Sequence, residues 1–273
     1  MSFSIAHVEQ LAAILRTAAR AEILPRFRHL DPSAIHQKTG PLDLVTEADL
    51  AAEAAITRAL GELYPGAHVL GEEAVAAEPR LLQRLGGRDL CFVVDPVDGT
   101  ANFAAGIAMF AVMIAAIENG RVLAAAIHDP LADDTACALA GGGAWLLGGR
   151  GRIPLAVAAP VSLADMAGTV SWRYLPEAMR ARFCAGLPRL GGAWDYRCAG
   201  QQYRMGASGA LHFLQFYRLM PWDHAPGVLL FTEAGGVAEA FDATPYSPRR
   251  QDGGLICAPD AASIAALRAA LLD

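Results

Sequence analysis

Acidic side chains stand in this chain where extended or helical runs should begin or end. Asp95-Pro96-Val97-Asp98-Gly99-Thr100 follows the apolar run Leu90-Cys91-Phe92-Val93-Val94, which reads as a buried strand ending at Asp95. Two carboxylates three residues apart at a strand end can point at one shared cation cluster. Behind them Gly99 and Thr100 open a turn whose backbone N–H groups can face an anion. Hard divalent cations take oxygen ligands, and Mg²⁺ is usually held by a few carboxylates plus substrate phosphate. Six residues thus sketch a metal-assisted phosphate site. The competing reading is a solvated turn, since Asp, Pro and Gly are ordinary turn residues.

Three further acidic groups fall at similar places: Asp43/Asp49, Glu72/Glu73 and Asp223. Any one alone reads as a solvated charge, and Asp223, after Trp222, reads equally as a helix cap. Together they have the composition of a multi-metal phosphatase, in which paired cations stabilise both the attacking and the leaving oxygen. His224, beside Asp223, reads as structural, because an oxygen-rich Mg²⁺ site does not favour imidazole.

The elements that must position these groups alternate along the chain. Val8, Leu11, Ala12, Leu15, Ala18, Ala19 and Ile23 predict an amphipathic helix over 5–29, ended or kinked at Pro25. A polar stretch, His36 to Pro41, leads to Asp43, and Thr46 or Asp49 caps a second helix reaching Tyr64. A short strand at Val69-Leu70 ends in Gly71-Glu72-Glu73. Strands near 107–117 and 121–128 flank Asn119-Gly120, a strong hairpin signal, and two more surround Gly141-Gly142-Gly143. The second half predicts strands at 170–172, 196–198, 211–217 and 256–258, with helices at 176–184, 203–210, 223–234 and 261–272. The class is α/β or layered α+β. The glycine-rich stretch 148–152 suggests a lobe boundary, giving an N-terminal lobe over 1–150 with most of the acidic groups and a C-terminal lobe over 151–273 with Asp223.

With 273 residues, 54% hydrophobic and 18% charged, the chain can build a sizeable core, and disorder is not expected. A formal charge of −6 disfavours nucleic acid as the main ligand, though a cation-bound phosphate remains compatible with it. The longest apolar run, Phe103 to Ile117, is too short for a membrane span, and no leader is evident at the N-terminus. Five scattered cysteines, an odd number without a CxxC pair, suggest reduced core thiols and a cytoplasmic protein.

Asp95-Pro96-Val97-Asp98-Gly99-Thr100-Ala101-Asn102-Phe103 resembles the signature of the inositol monophosphatase family. Asp43 to Asp49, Gly71-Glu72-Glu73 and Pro221 to Gly227 with Thr232 to Gly236 resemble its other blocks, in the family's order and spacing. The resemblance implies hydrolysis of a small phosphomonoester with two to three Mg²⁺ ions on a five-layer α-β-α-β-α sandwich of the sugar phosphatase type, in a homodimer. By motif, Glu72, Asp95 and the carbonyl of Val97 would hold a first cation. Asp95, bridging, with Asp98 and Asp223 would hold a second. Asp49 and Thr100 would orient and deprotonate the attacking water, with Asp43 and Lys38 in support and the Gly99 and Thr100 N–H groups on the phosphate.

The second half departs from the inositol-specific pattern. Gly200-Gln201-Gln202 replaces a Gly-Thr-Ala, and Phe216-Tyr217-Arg218 stands where the pattern has a hydroxyl-accepting acid. Losing that acceptor weakens the inositol assignment. Arg197, Arg204 and Arg218 could pair with a second negative group, with Gln201 and Tyr203 as further lining candidates. Candidate substrates are therefore an inositol or sugar phosphate, histidinol phosphate, 3′-phosphoadenosine 5′-phosphate and fructose 1,6-bisphosphate. A regulatory or binding protein reusing the fold is the non-enzymatic alternative.

Overall fold

The computed structural model describes residues 3–40 and 43–273. Ser4 caps helix α1 (Ile5–Ala18), whose Val8, Leu11, Ala12 and Leu15 form one buried stripe. The predicted helix over 5–29 is broken into pieces. Ala19–Ile23 form a π-helical turn and Leu24–Arg26 a 3₁₀ turn around Pro25, which lacks the N–H a continuous helix needs. Most of the polar stretch after it is a strand. β1 (Ile35–Gly40) pairs antiparallel with β2 (Asp43–Thr46), while Pro41 lies outside the described residues.

Helix α2 (Glu47–Leu63) starts in a capping box, with Thr46 as cap and Asp49 reaching back to it. β3 (His68–Gly71), α3 (Glu72–Ala77), β4 (Cys91–Asp98), α4 (Thr100–Ala104), β5 (Ala111–Glu118), β6 (Arg121–Asp129), β7 (Asp134–Leu139), β8 (Gly143–Gly148) and β9 (Gly151–Pro154) follow. The seven strands form one sheet in chain order; only the β3–β4 pairing is parallel. The Asn119-Gly120 hairpin is present, and the Gly148–Gly151 turn leads into β9, still in this sheet.

The second sheet is built from β10 (Ala167–Val170), β11 (Gly192–Trp194), β12 (Phe213–Phe216), β13 (Val237–Ala240) and β14 (Leu255–Ala258), in the order β11-β10-β12-β14-β13. Its helices are α5 (Glu177–Gly186), α6 (Ala199–Ala207), α7 (Pro221–Glu233) and α8 (Ala261–Leu271). Two predicted strands shift. The first strand stops at Val170, and Trp172–Tyr174 form a 3₁₀ turn. The second lies at Gly192–Trp194, leaving 196–198 as the lead into α6. The helix predicted over 203–210 starts already at Ala199 and ends at Ala207.

Alternation along the strands sorts the core into layers. Val112, Ile114 and Ala116 of β5 face α1 and α2, with Val8, Leu11, Ile56 and Leu60. Ala111 and Met113 face the other way, toward Tyr203 of α6 and Leu230 and Phe231 of α7. The same middle layer packs on Leu214 and Leu255 of the second sheet, whose opposite face, Phe213 and Ile256, meets Phe183 and Leu267 of α5 and α8. The result is a five-layer α-β-α-β-α sandwich. Because the first sheet is covered on both faces, its strands read as unbroken apolar runs. No helix among the described residues is long and apolar enough to cross a membrane.

Candidate active site

The site begins where β4 stops pairing regularly. Asp95 lies opposite Met113 and Asp98 opposite Ala111, so the intervening Pro96-Val97 forms a bulge against β5. Proline has no N–H to give the ladder, and the bulge turns both carboxylates into the pocket. Gly99 then takes φ +86, a left-handed conformation, and starts α4; a Cβ there would stand 2.9 Å from the Met109 carbonyl oxygen.

Asp223 arrives from the first turn of α7, and Glu72 opens α3. Ligand oxygens of Glu72, Asp95 and Asp223 lie within 4.8 Å of one another. The carboxyl of Asp95, 2% exposed, is held well above the usual range by burial and by Glu72, Asp98 and Asp223. Burial and the Glu72 charge push Asp223 up to about 8. Three acids converging in a buried place repel one another unless a cation or protons intervene. The donors are all oxygen, which suits a hard divalent cation. The residues therefore fit Mg²⁺.

Asp98 shares the pocket but is gripped from behind. Its Oδ2 accepts from the Gly200 N–H at 2.5 Å and the Cys198 thiol at 3.0 Å, and its Oδ1 accepts from the Ala199 N–H at 3.2 Å. The carboxylate thus sits on the N-terminal turn of α6. Burial raises it to about 6, with those donors opposing the shift. A Cβ at Gly200 would stand 3.0 Å from Asp98 Oδ2 and 2.9 Å from Ala111 Cβ, so Gly here permits the contact.

Asp49 lies behind the carboxylate cluster, 1% exposed. Its Oδ2 accepts from the Thr46 N–H and hydroxyl, at 2.9 and 2.6 Å, in the capping box. Its Oδ1 lies 3.1 Å from the Thr100 hydroxyl, which is also 2.9 Å from the Val97 carbonyl oxygen. One hydroxyl proton serves one of these acceptors at a time. Burial moves Asp49 up to about 7, where it can hold or release a proton near neutrality. Lys38, from β1, donates to Glu72 at 2.8 Å and Glu73 at 2.6 Å; these carboxylates outweigh burial and hold its ammonium above its usual range. Glu53 of α2 caps α3 by accepting from the Glu73 and Ala74 N–H groups, at 2.8 and 2.9 Å.

The pocket is lined on this side by Asp43, Glu72, Asp95, Val97, Asp98, Gly99, Thr100 and Asp223. Across from them stand Ser171, Arg173, Tyr174, Asp195, Arg197, Gln202, Tyr217 and Arg218. Arg197 donates to Asn102 Oδ1 at 2.6 Å. Three residues expected on this wall lie elsewhere. Gln201 donates to the Phe110 carbonyl and to Asp129, and Arg204 donates to Asp134 and the Ile127 carbonyl under the first sheet. Tyr203 is fully buried in the middle layer.

Sequence reading did not single out Glu53, Ser171, Arg173, Tyr174 or Asp195. Glu53 carried a signal, since it lies one helical turn beyond Asp49 on α2. The others depend on which strands become neighbours, and no local pattern reports that.

The model of the inositol monophosphatase family matches residues 6–272. The chain belongs to the inositol monophosphatase family. Its relatives include a fructose-1,6-bisphosphatase/inositol-1-monophosphatase of Thermotoga maritima, 30% identical over 213 residues, 76% of this chain and 75% of that protein. Another is the Nus factor SuhB of Escherichia coli K12, 31% identical over 238 residues, 83% of each chain. Similar solved structures include inositol monophosphatase II of Staphylococcus aureus, with TM-score 0.81, 24% identity and coverage of 98% of this chain and 96% of that one. The extragenic suppressor protein suhB of Bartonella henselae gives TM-score 0.80 at 25% identity, covering 97% and 98%. This inositol monophosphatase family member thus shares the fold along nearly its whole length.

Proposed function

We propose that the protein is a Mg²⁺-dependent phosphomonoesterase acting on a small phosphorylated metabolite. The observation that carries this reading is the convergence of Glu72, Asp95 and Asp223 oxygens within 4.8 Å of one another, in the pocket that Thr100 lines with Asp49 behind it. When bound there, divalent cations supply Lewis-acid charge neutralisation and make water nucleophilic near neutral pH.

The chain's own residues supply the remainder. Asp49, poised near pH 7, takes a proton through the Thr100 hydroxyl and is held in orientation by Thr46. The N–H groups of Gly99 and Thr100, at the turn into α4, would supply donors to the phosphate oxygens. Asp98 is fixed by α6, so its carboxylate costs little to order when substrate arrives. Phosphoryl transfer needs positioning and charge neutralisation more than protein covalent chemistry, and no Ser or Cys nucleophile enters this scheme.

Phosphate release from a panel of phosphomonoesters, with Mg²⁺ and with EDTA, tests the reading. Mg²⁺-dependent turnover is expected; Mg²⁺ binding without turnover on every member sinks it. A second reading, a regulatory or binding protein reusing the fold, draws support from the relatives named Nus factor SuhB. Inactivity throughout the panel would favour it.

A further inference from the structure

The wall opposite the carboxylates has an order of its own. Strands β11, β10 and β12 lie side by side and parallel, with Thr169 opposite both Trp194 and Leu214. Their carboxyl ends therefore open onto one edge, where sheets of this kind receive ligands. The residues that follow those ends bring one arginine each to the pocket: Arg197 after β11, Arg173 after β10 and Arg218 after β12. The Ser171 N–H donates to the Gln215 carbonyl at 3.1 Å, tying the β10 and β12 exits together and so setting the Arg173 and Arg218 segments beside each other.

The three arginines are not equivalent. Arg197 spends a guanidinium N–H on Asn102. Arg173 lies over the Tyr174 ring, 5.3 Å from its centroid, which fixes the cation without consuming its donors. Arg218 is anchored by its backbone. Its carbonyl oxygen accepts from His224 Nε2 at 2.8 Å, so His224 Nδ1 is unprotonated and accepts from the Tyr203 hydroxyl at 3.0 Å. Among the described residues no carboxylate stands within ion-pair distance of Arg173 or Arg218, and the Arg218 charge reaches the buried Asp223 only at longer range, where it opposes that carboxyl's upward shift. Asp195 is the one acid on this wall of the pocket, and its Oδ1 accepts from the Arg197 N–H.

We propose that Arg173 and Arg218 form an anion-recognising pole that selects phosphomonoesters carrying a second negative group, a carboxylate or another phosphate. This rests on the phosphatase reading and specifies its substrate class. Guanidinium groups match both anions, often through paired N–H donors, and a neutral polyol gives them no charge to meet. An ammonium-bearing substrate meets like charge there.

Two substrate pairs test the pole and distinguish its two anions: 3-phosphoglycerate against glycerol 3-phosphate, and fructose 1,6-bisphosphate against fructose 1-phosphate. With Mg²⁺ present, at least one pair should show a kcat/KM ratio of about ten or more in favour of the anionic member, the scale of one charged contact. The double variant Arg173→Gln/Arg218→Gln should lower that ratio about tenfold, mainly through KM. Arg173→Lys/Arg218→Lys should restore part of it, and Arg58→Gln, on α2 away from the pocket, should keep it. Ratios near one in the wild type, with the neutral members turned over, overturn the pole and leave the phosphatase reading standing. So does an equal loss on both members of a pair in a glutamine variant that still unfolds cooperatively. Absence of turnover on all four, while another phosphomonoester of the wider panel is turned over, overturns the pole alone; absence throughout the panel removes the phosphatase reading and the pole with it.

Discussion

The two walls of the pocket are built differently. On the first-sheet side, three carboxylates sit where a regular element starts or stops and are gripped by fixed partners. Asp49 belongs to a capping box, Asp98 to the first turn of α6, and Glu72 to the ion pair with Lys38. On the second-sheet side the groups stand on exits from short strands, and Arg218 and Tyr174 are exposed. The difference separates two tasks. In the proposed reaction the first wall neutralises a transferring phosphoryl group, and such a wall must be ordered before substrate arrives. A wall that chooses among substrates can vary without disturbing that order.

The largest break in this comparison comes from Asp95→Asn. It should lower kcat by at least about 10²–10³-fold, the scale of losing a preorganised electrostatic stabiliser. Metal-free protein should simultaneously melt at a higher temperature, because one of the mutually repelling buried acids is gone. A melting temperature that falls would show that the cluster is not under charge strain.

Next comes the response to pH. Asp49 and Glu73 at about 7 and Asp223 at about 8 are raised above their values in an unfolded chain, chiefly by burial. Between about pH 4 and pH 8 the folded state then holds more protons than the unfolded one, so stability falls as pH rises through that window. Urea midpoints in EDTA should drop from pH 5.5 to pH 8.5, and saturating Mg²⁺ should flatten the slope. A metal-free protein that gains stability over that range would contradict the assignment.

Thr46→Ala removes a helix cap and one of the two groups orienting Asp49. A stability loss of about 1 kcal/mol is expected from the cap. Activity should fall about 10–100-fold, as for supporting partners of a metal site. If stability falls and kcat does not, Asp49 needs no orientation. On the opposite wall, Tyr174→Ala should change stability by less than about 0.5 kcal/mol, since the residue is 47% exposed. A larger loss in thermal unfolding would mean the second wall is as tightly built as the first.

The same division explains what the sequence revealed. The β4 carboxylates were legible because an unbroken apolar run stops at Asp95, and the Asp49 cap because Thr46 precedes it by the spacing of a capping box. β1 was not legible: His36 to Gly40 is polar, and its strand exists because it pairs with β2 and carries Lys38 to Glu72. The start of α6 was hidden by Gly200, whose missing Cβ serves the Asp98 contact and weakens the local helix signal. Gln201 resembled a pocket residue by position, yet the helix rotates it toward Asp129. Arg173 enters the pocket only because β10 pairs with β12, a long-range event without a local signature.

The link from Tyr203 through His224 to Arg218 grips the main chain at position 218 and leaves its side chain untouched. Burial lowers His224 to about 3, so the imidazole stays neutral and the link does not open at any ordinary pH. A side chain other than proline or glycine placed at 218 therefore keeps the same main-chain anchor. On the proposed reading, position 218 is then a socket for rewriting substrate preference, adjustable one residue at a time while the carboxylate cluster next to it keeps its shape.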